Sequence, residues 1–113
     1  MSCIFCQIAN SEIPTQFLYE DDKVVAFRDL HPQAPTHVLI VPKKHIESML
    51  ELDAKDIPLT GHMLDVARIL AEKEGIAQGG YRMVINTGPE GGQVVMHLHL
   101  HLIGGRVLPE KMK

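Results

Sequence analysis

The clearest alternation of apolar and polar positions lies near the end of the chain, where Leu98, Leu100 and Leu102 interleave with His97, His99 and His101. In a strand, alternate side chains share a face, so this pattern puts leucines on one side and imidazoles on the other. A helix would turn His99 away from the other two and scatter the leucines. Residues 94–103 are therefore predicted as a strand, ended by Gly104 and Gly105. A longer period marks residues 59–74, where Leu59, Met63, Val66, Ala67, Leu70 and Ala71 recur at three- and four-residue intervals before Gly75. That spacing predicts the main helix. Asp53 is its candidate cap, with Asp56 three residues on as the box partner. Further strands are predicted over 17–20, 24–28, 37–42 and 81–86, with a polar turn at 20–23 and Pro42 closing the third. Ile4, Phe5 and Ile8 predict a short helix over 4–10. The order is an α+β pattern: an antiparallel sheet of about five strands with one main helix and a short N-terminal helix. Met49, Met63, Met83 and Met96 are expected as core filler, and His31 and His62 as surface residues.

Composition narrows the field. A chain of 113 residues, 45% of them hydrophobic, is expected as a single domain over 1–113 with a modest core, for which a metal or a second copy would add stability. The net charge of -3, with no basic run beyond Lys43 and Lys44, argues against a nucleic-acid partner. No apolar run is long enough to cross a membrane, and the N-terminus lacks a secretion signal, so a cytoplasmic protein is expected. In a reducing compartment, Cys3 and Cys6 read as metal ligands, a redox pair or two plain thiols.

Three imidazoles on one face need partners, because each ring has two nitrogens to satisfy when buried. Two chemistries remain. Either the histidines are ligands of a catalytic zinc, or a neutral imidazole attacks phosphorus. The loop before them, with Gly88, Gly91 and Gly92, lets the backbone approach a ligand and offers N–H groups to an anion. That placement suggests a phosphate site.

The run from Gln93 to Ile103 resembles the histidine triad (HIT) signature, in which three histidines alternate with apolar residues. Phe27, Arg28, Asp29 and Leu30, the stretch from Pro32 to His37, the run Pro42, Lys43, Lys44, His45, Ile46, and the run from Gly80 to Asn86 are similar to the Hint branch, the nucleoside phosphoramidases. The resemblance implies a HIT-like fold and a homodimer whose sheets join into one of ten strands. It implies hydrolysis of the P–N bond of purine nucleoside 5'-monophosphoramidates, with an AMP- or GMP-type ligand. His99 would be the nucleophile that carries the nucleotidyl group. His101 would touch the phosphate and leaving group, and His37 would belong to a proton relay. Asp29 would accept from the ribose hydroxyls. Phe5, Ile8, Leu30 and Leu39 would wall the base, while Asn86 and the backbone of Gly92, Gln93 and Val94 would hold the phosphate. Many members carry serine where Val94 stands here. Two other activities stay open at this level: dinucleoside polyphosphate hydrolysis, and nucleotide binding without catalysis.

The same resemblance gives the cysteines partners. HIT proteins with this pair are similar to zinc-binding members, which implies a structural zinc on Cys3, Cys6, His45 and His97. His97 and His101 would lie about 13 Å apart along a strand, so metal and chemistry can occupy opposite ends of the ridge. No organic cofactor is expected.

Overall fold

Short runs of β-branched and aromatic residues form the central strands here because other elements cover them on both faces. The computed structural model describes residues 3–110. In chain order these form α1 (Ile4–Ala9), β1 (Tyr19–Glu20), β2 (Val24–Arg28), β3 (Thr36–Pro42), α2 (Ile57–Lys73), β4 (Tyr81–Val84) and β5 (Leu100–Gly104), with two 3-10 turns at Met49–Glu51 and Ala54–Asp56. The sheet is ordered β1-β2-β3-β5-β4, and every neighbouring pair is antiparallel.

One face of the sheet meets α2. Val24, Ala26, Val38, Ile40, Leu100 and Leu102 pack there against Met63, Val66, Ala67, Leu70 and Ala71. The opposite face gathers Val25, Phe27, Leu39 and Val41 under Phe5 and Ala9 of α1. All seven residues of β3 are buried, as a central strand covered on both sides requires. Among the described residues, no helix is long and apolar enough to cross a membrane.

Four expectations need correction. The last strand starts at Leu100, not at residue 94. Its ladder with β3 stops at Ile40 and Leu100, because the Pro42 carbonyl is taken by the His97 side chain at 2.8 Å. The alternation survives outside the ladder. Leu98 is buried in the α2-side core, and its N–H donates to the Ile46 carbonyl at 2.7 Å. Next, Asp53 and Asp56 form their capping box on the second 3-10 turn, and α2 follows directly with Pro58 in its first turn. Last, of the four methionines only Met63 is buried, while Met49, Met83 and Met96 are exposed. His62 is also more than a surface residue. Its Nε2 lies 2.6 Å from Asp21 Oδ2, tying α2 to the turn before β2.

Candidate active site

His99 precedes β5, in the stretch that Leu98 anchors. Its Nδ1 lies 2.7 Å from the His97 carbonyl, which can only accept, so Nδ1 carries the proton. The Nε2 lone pair is left free for an electrophile. Phe5 stands edge-on to the ring with 5.1 Å between centroids, which steadies its plane.

His37 and His101 form a second unit. In the antiparallel register Leu39 faces His101, so His37 is the diagonal neighbour on the same face. The Gln33 N–H donates to His37 Nδ1 at 3.0 Å, which leaves the His37 proton on Nε2. That nitrogen lies 2.9 Å from His101 Nδ1 and 3.5 Å from Asp29 Oδ2. His101 Nδ1 therefore accepts, and His101 carries its own proton on Nε2. Burial pulls the pKa of His37 down, against the charge of Asp29. Burial, then His99 and His37, bring His101 down to about 4, again opposed by Asp29. Both rings are neutral near pH 7. Asp29 is held by its N–H to the His37 carbonyl and by Oδ1, which accepts from the His31 N–H at 2.8 Å.

These groups border a cleft of about 1030 Å³. His99 and His101 line it with Asp29, Asn86, Gly92 and Val94, while Phe5, Ile8 and Leu39 supply apolar wall. Leu30 stands on its rim, 90% exposed. Phe27, not expected at the site, pairs with Leu39 across the sheet and meets Phe5 edge-on at 5.7 Å. The signal was present: the period of two in β2 puts Phe27 on the same face as Val25, toward α1. His31, expected at the surface, is exposed but borders the cleft.

The glycine loop differs from expectation. The N–H groups of Gly91, Gly92 and Gln93 donate within the loop, to Gly88, Pro89 and Gly88 carbonyls. Of the backbone donors expected at Gly92, Gln93 and Val94, only that of Val94 has no partner among the described residues. The Gln93 side chain turns away from the cleft, accepting from the Gly88 N–H and donating to the Glu47 and Val95 carbonyls. Asn86 Nδ2 donates to the Gly91 carbonyl at 2.8 Å. Gly91 is obligatory, since a Cβ would sit 2.2 Å from the Thr87 carbonyl oxygen.

A second cluster lies behind His99. Cys3 Sγ and Cys6 Sγ are 3.4 and 3.5 Å from His97 Nδ1, Cys6 Sγ is 3.3 Å from His45 Nδ1, and the two imidazole nitrogens are 3.1 Å apart. A tetrahedral zinc with ordinary Zn–N and Zn–S bonds spaces its ligand atoms roughly 3.3–3.8 Å apart, close to these values. The outer contacts agree. His97 Nε2–H donates to Pro42, so its Nδ1 lone pair faces the thiols. Burial, then the bond and charge of Cys3, push the Cys6 thiol up, which disfavours its thiolate unless a cation is present. The donor set thus suits a closed structural zinc.

Asp29, His37 and His101 also converge, with donor atoms within 4.8 Å of one another. They fail the same test. A metal on His37 Nε2 would move the ring proton to Nδ1, where the Gln33 N–H already points. Nor do the three triad histidines converge on one ion. His97 turns to the cysteines, His99 to the His97 carbonyl and His101 to His37.

The sequence profile of the HIT domain matches residues 10–108. The chain belongs to the HIT domain family. This HIT protein is 50% identical to the purine nucleoside phosphoramidase of Escherichia coli, over 93% of its own length and 88% of that enzyme's. It is 49% identical to a 14 kDa zinc-binding protein of Zea mays, over 91% of its length and 81% of that protein's. Among solved structures, a histidine triad protein from Clostridium difficile superposes with a TM-score of 0.95 at 46% identity, covering 99% of this chain and 97% of that one. The HIT fold, with its five-stranded antiparallel sheet and two helices, is thereby established for this chain.

Proposed function

We propose that this HIT protein hydrolyses the P–N bond of purine nucleoside 5'-monophosphoramidates through a nucleotidyl intermediate on His99. The observation that carries this reading is the fixed tautomer of His99, whose Nδ1 is spent on the His97 carbonyl and whose Nε2 is free at the cleft. The Escherichia coli relative is named for the same activity.

The base lies among Phe5, Ile8, Leu30 and Leu39, and Asp29 accepts from the ribose hydroxyls through its carboxylate. The phosphate lies between Asn86, Gly92, the Val94 N–H and the two imidazoles; Gln93 serves it by bracing the loop. His99 Nε2 attacks phosphorus and forms a new P–N bond. The scissile P–N bond breaks, and its electron pair leaves with a substrate nitrogen already protonated from solution, giving the neutral amine. Water then bonds to phosphorus and releases Nε2 with its electron pair. One water proton stays on the nucleoside monophosphate, and the other passes to the amine. The Nε2–H of His101 and the Val94 N–H donate to the phosphoryl oxygens, where charge builds up in the transition state. His37 acts through His101 by keeping its proton on the cleft side.

A structural zinc on Cys3, Cys6, His45 and His97 contributes no step; its work is to tie α1 to the sheet. The same reading takes residues 1–113 as a single domain. It has the chain pair through the open edge of β4 into a homodimer, in the cytoplasm, where reduced cysteines persist. The test is His99→Ala, assayed on adenosine 5'-phosphoramidate. Turnover falls at least about 10³-fold while AMP still binds. Undiminished turnover in that variant would refute the assignment.

A further inference from the structure

Arg106 lies outside the cleft, in the first residues after β5, and the reaction above does not use it. Its Nε and Nη2 both donate to the Gln33 carbonyl, at 3.1 and 2.9 Å, and its Nη1 donates to the Val107 carbonyl at 3.0 Å. Gln33 is the residue whose N–H meets His37 Nδ1. We infer that Arg106 is a positioning residue that sets which nitrogen of His37 bears the proton, and through it the donor that His101 presents to the substrate.

The loop needs such a clamp. Between β2 and β3, residues 30–35 make no backbone–backbone hydrogen bond of their own among the described residues. Gln33 is exposed, and nothing in a ladder fixes its peptide groups. The segment after β5 supplies the contact instead. Gly105 has a φ of +96°, and a Cβ there would approach Pro35 Cβ to 3.0 Å, so glycine lets this segment seat against the loop. Arg106 then grips the carbonyl of Gln33 with two donors of a rigid planar fork.

The consequence runs along one line of donors. With the Gln33 N–H on Nδ1, His37 must donate from Nε2, His101 must accept at Nδ1, and the His101 proton faces the cleft. If Gln33 swings away, His37 can carry its proton on Nδ1 instead. His101 Nδ1 then loses its donor, and its Nε2 proton is no longer enforced. An imidazole that offers a lone pair to a phosphate repels it.

This inference rests on the phosphoramidase reading for its kinetic part only. Arg106→Ala and Arg106→Lys are compared with the unaltered protein by long-range ¹H–¹⁵N NMR at His37, without nucleotide, and by turnover of adenosine 5'-phosphoramidate. The unaltered protein shows His37 protonated at Nε2 alone. Arg106→Ala moves the Nδ1 and Nε2 signals toward each other, as mixed tautomers do. Its kcat falls about tenfold, while KM stays within about twofold, because Arg106 does not line the cleft. Arg106→Lys, which keeps one donor, lies between the two. An unchanged His37 tautomer in Arg106→Ala overturns the inference whatever the kinetics. If the unaltered protein itself fails to turn over the phosphoramidate, the function reading falls and the tautomer result still decides the role of Arg106.

Discussion

His101 illustrates how much depends on a single ring. Its depressed pKa, about 4 against an ordinary 6.5, comes chiefly from burial, then from His99 and His37. Between those values the unfolded chain binds a proton that the folded chain refuses, so stability is complete above the ordinary value and declines as pH falls toward 4. Thermal melts at pH 7 and pH 4.5 should show the decline. His101→Gln should flatten it relative to the unaltered protein, and an identical slope in the two would remove His101 from the account. The thiol–imidazole cluster is common to both proteins and cancels in the difference. That Asp29, His99 and His101 would meet at one cleft was legible in the chain because the triad pattern and the residues around Asp29 occur at recognisable spacing. The protons were not. They depend on the Gln33 N–H and the His97 carbonyl, main-chain groups whose place no side-chain pattern records.

At the scale of elements, α1 does two jobs within six residues. Cys6, with Cys3 just before the helix, reaches the thiol–imidazole cluster, and Phe5 and Ile8 line the cleft. Loss of the metal should loosen that apolar wall of the cleft. Cys6→Ser, or chelation of the loaded protein, is expected to lower Tm by roughly 5–10 °C, the size of about 1–2 kcal/mol in a domain this small. KM for the phosphoramidate should rise about three- to tenfold with little change in kcat, since the metal takes part in no step. A loss of kcat with KM unchanged would contradict that division of labour. The two helices could be read from hydrophobic period, and the central strands from short continuous apolar runs, because a strand covered on both faces is apolar at every position. The start of β5 could not. Just before Leu100 the side chains still alternate, but the Pro42 carbonyl opposite is taken by the His97 side chain, and a ladder needs free main-chain partners as well as the right pattern.

For the whole molecule, the open question is what meets the free edge of the sheet. β4 is the outer strand on one side, with Met83 exposed, and Ile57 and Leu64 are exposed on α2. An uncovered edge with apolar neighbours is a template for pairing. Sedimentation equilibrium is expected to give twice the chain mass of 12.6 kDa. Met83→Asp, which sets like charges near one another across a two-fold pairing, should shift the mass toward the single chain. Full dimer retained in Met83→Asp, or a single-chain mass in the unaltered protein, would exclude pairing through this edge.

One leucine separates the imidazole that faces the cysteines from the imidazole that faces the cleft, and its own side chain fills the α2-side core. The stretch therefore has a reading frame of its own. Insert or delete a single residue there, and rings that face the thiols and the cleft turn into oil while aliphatic chains turn out toward both. Substitution along the rim of the cleft leaves that frame intact, whereas a change of length between His97 and His99 breaks it.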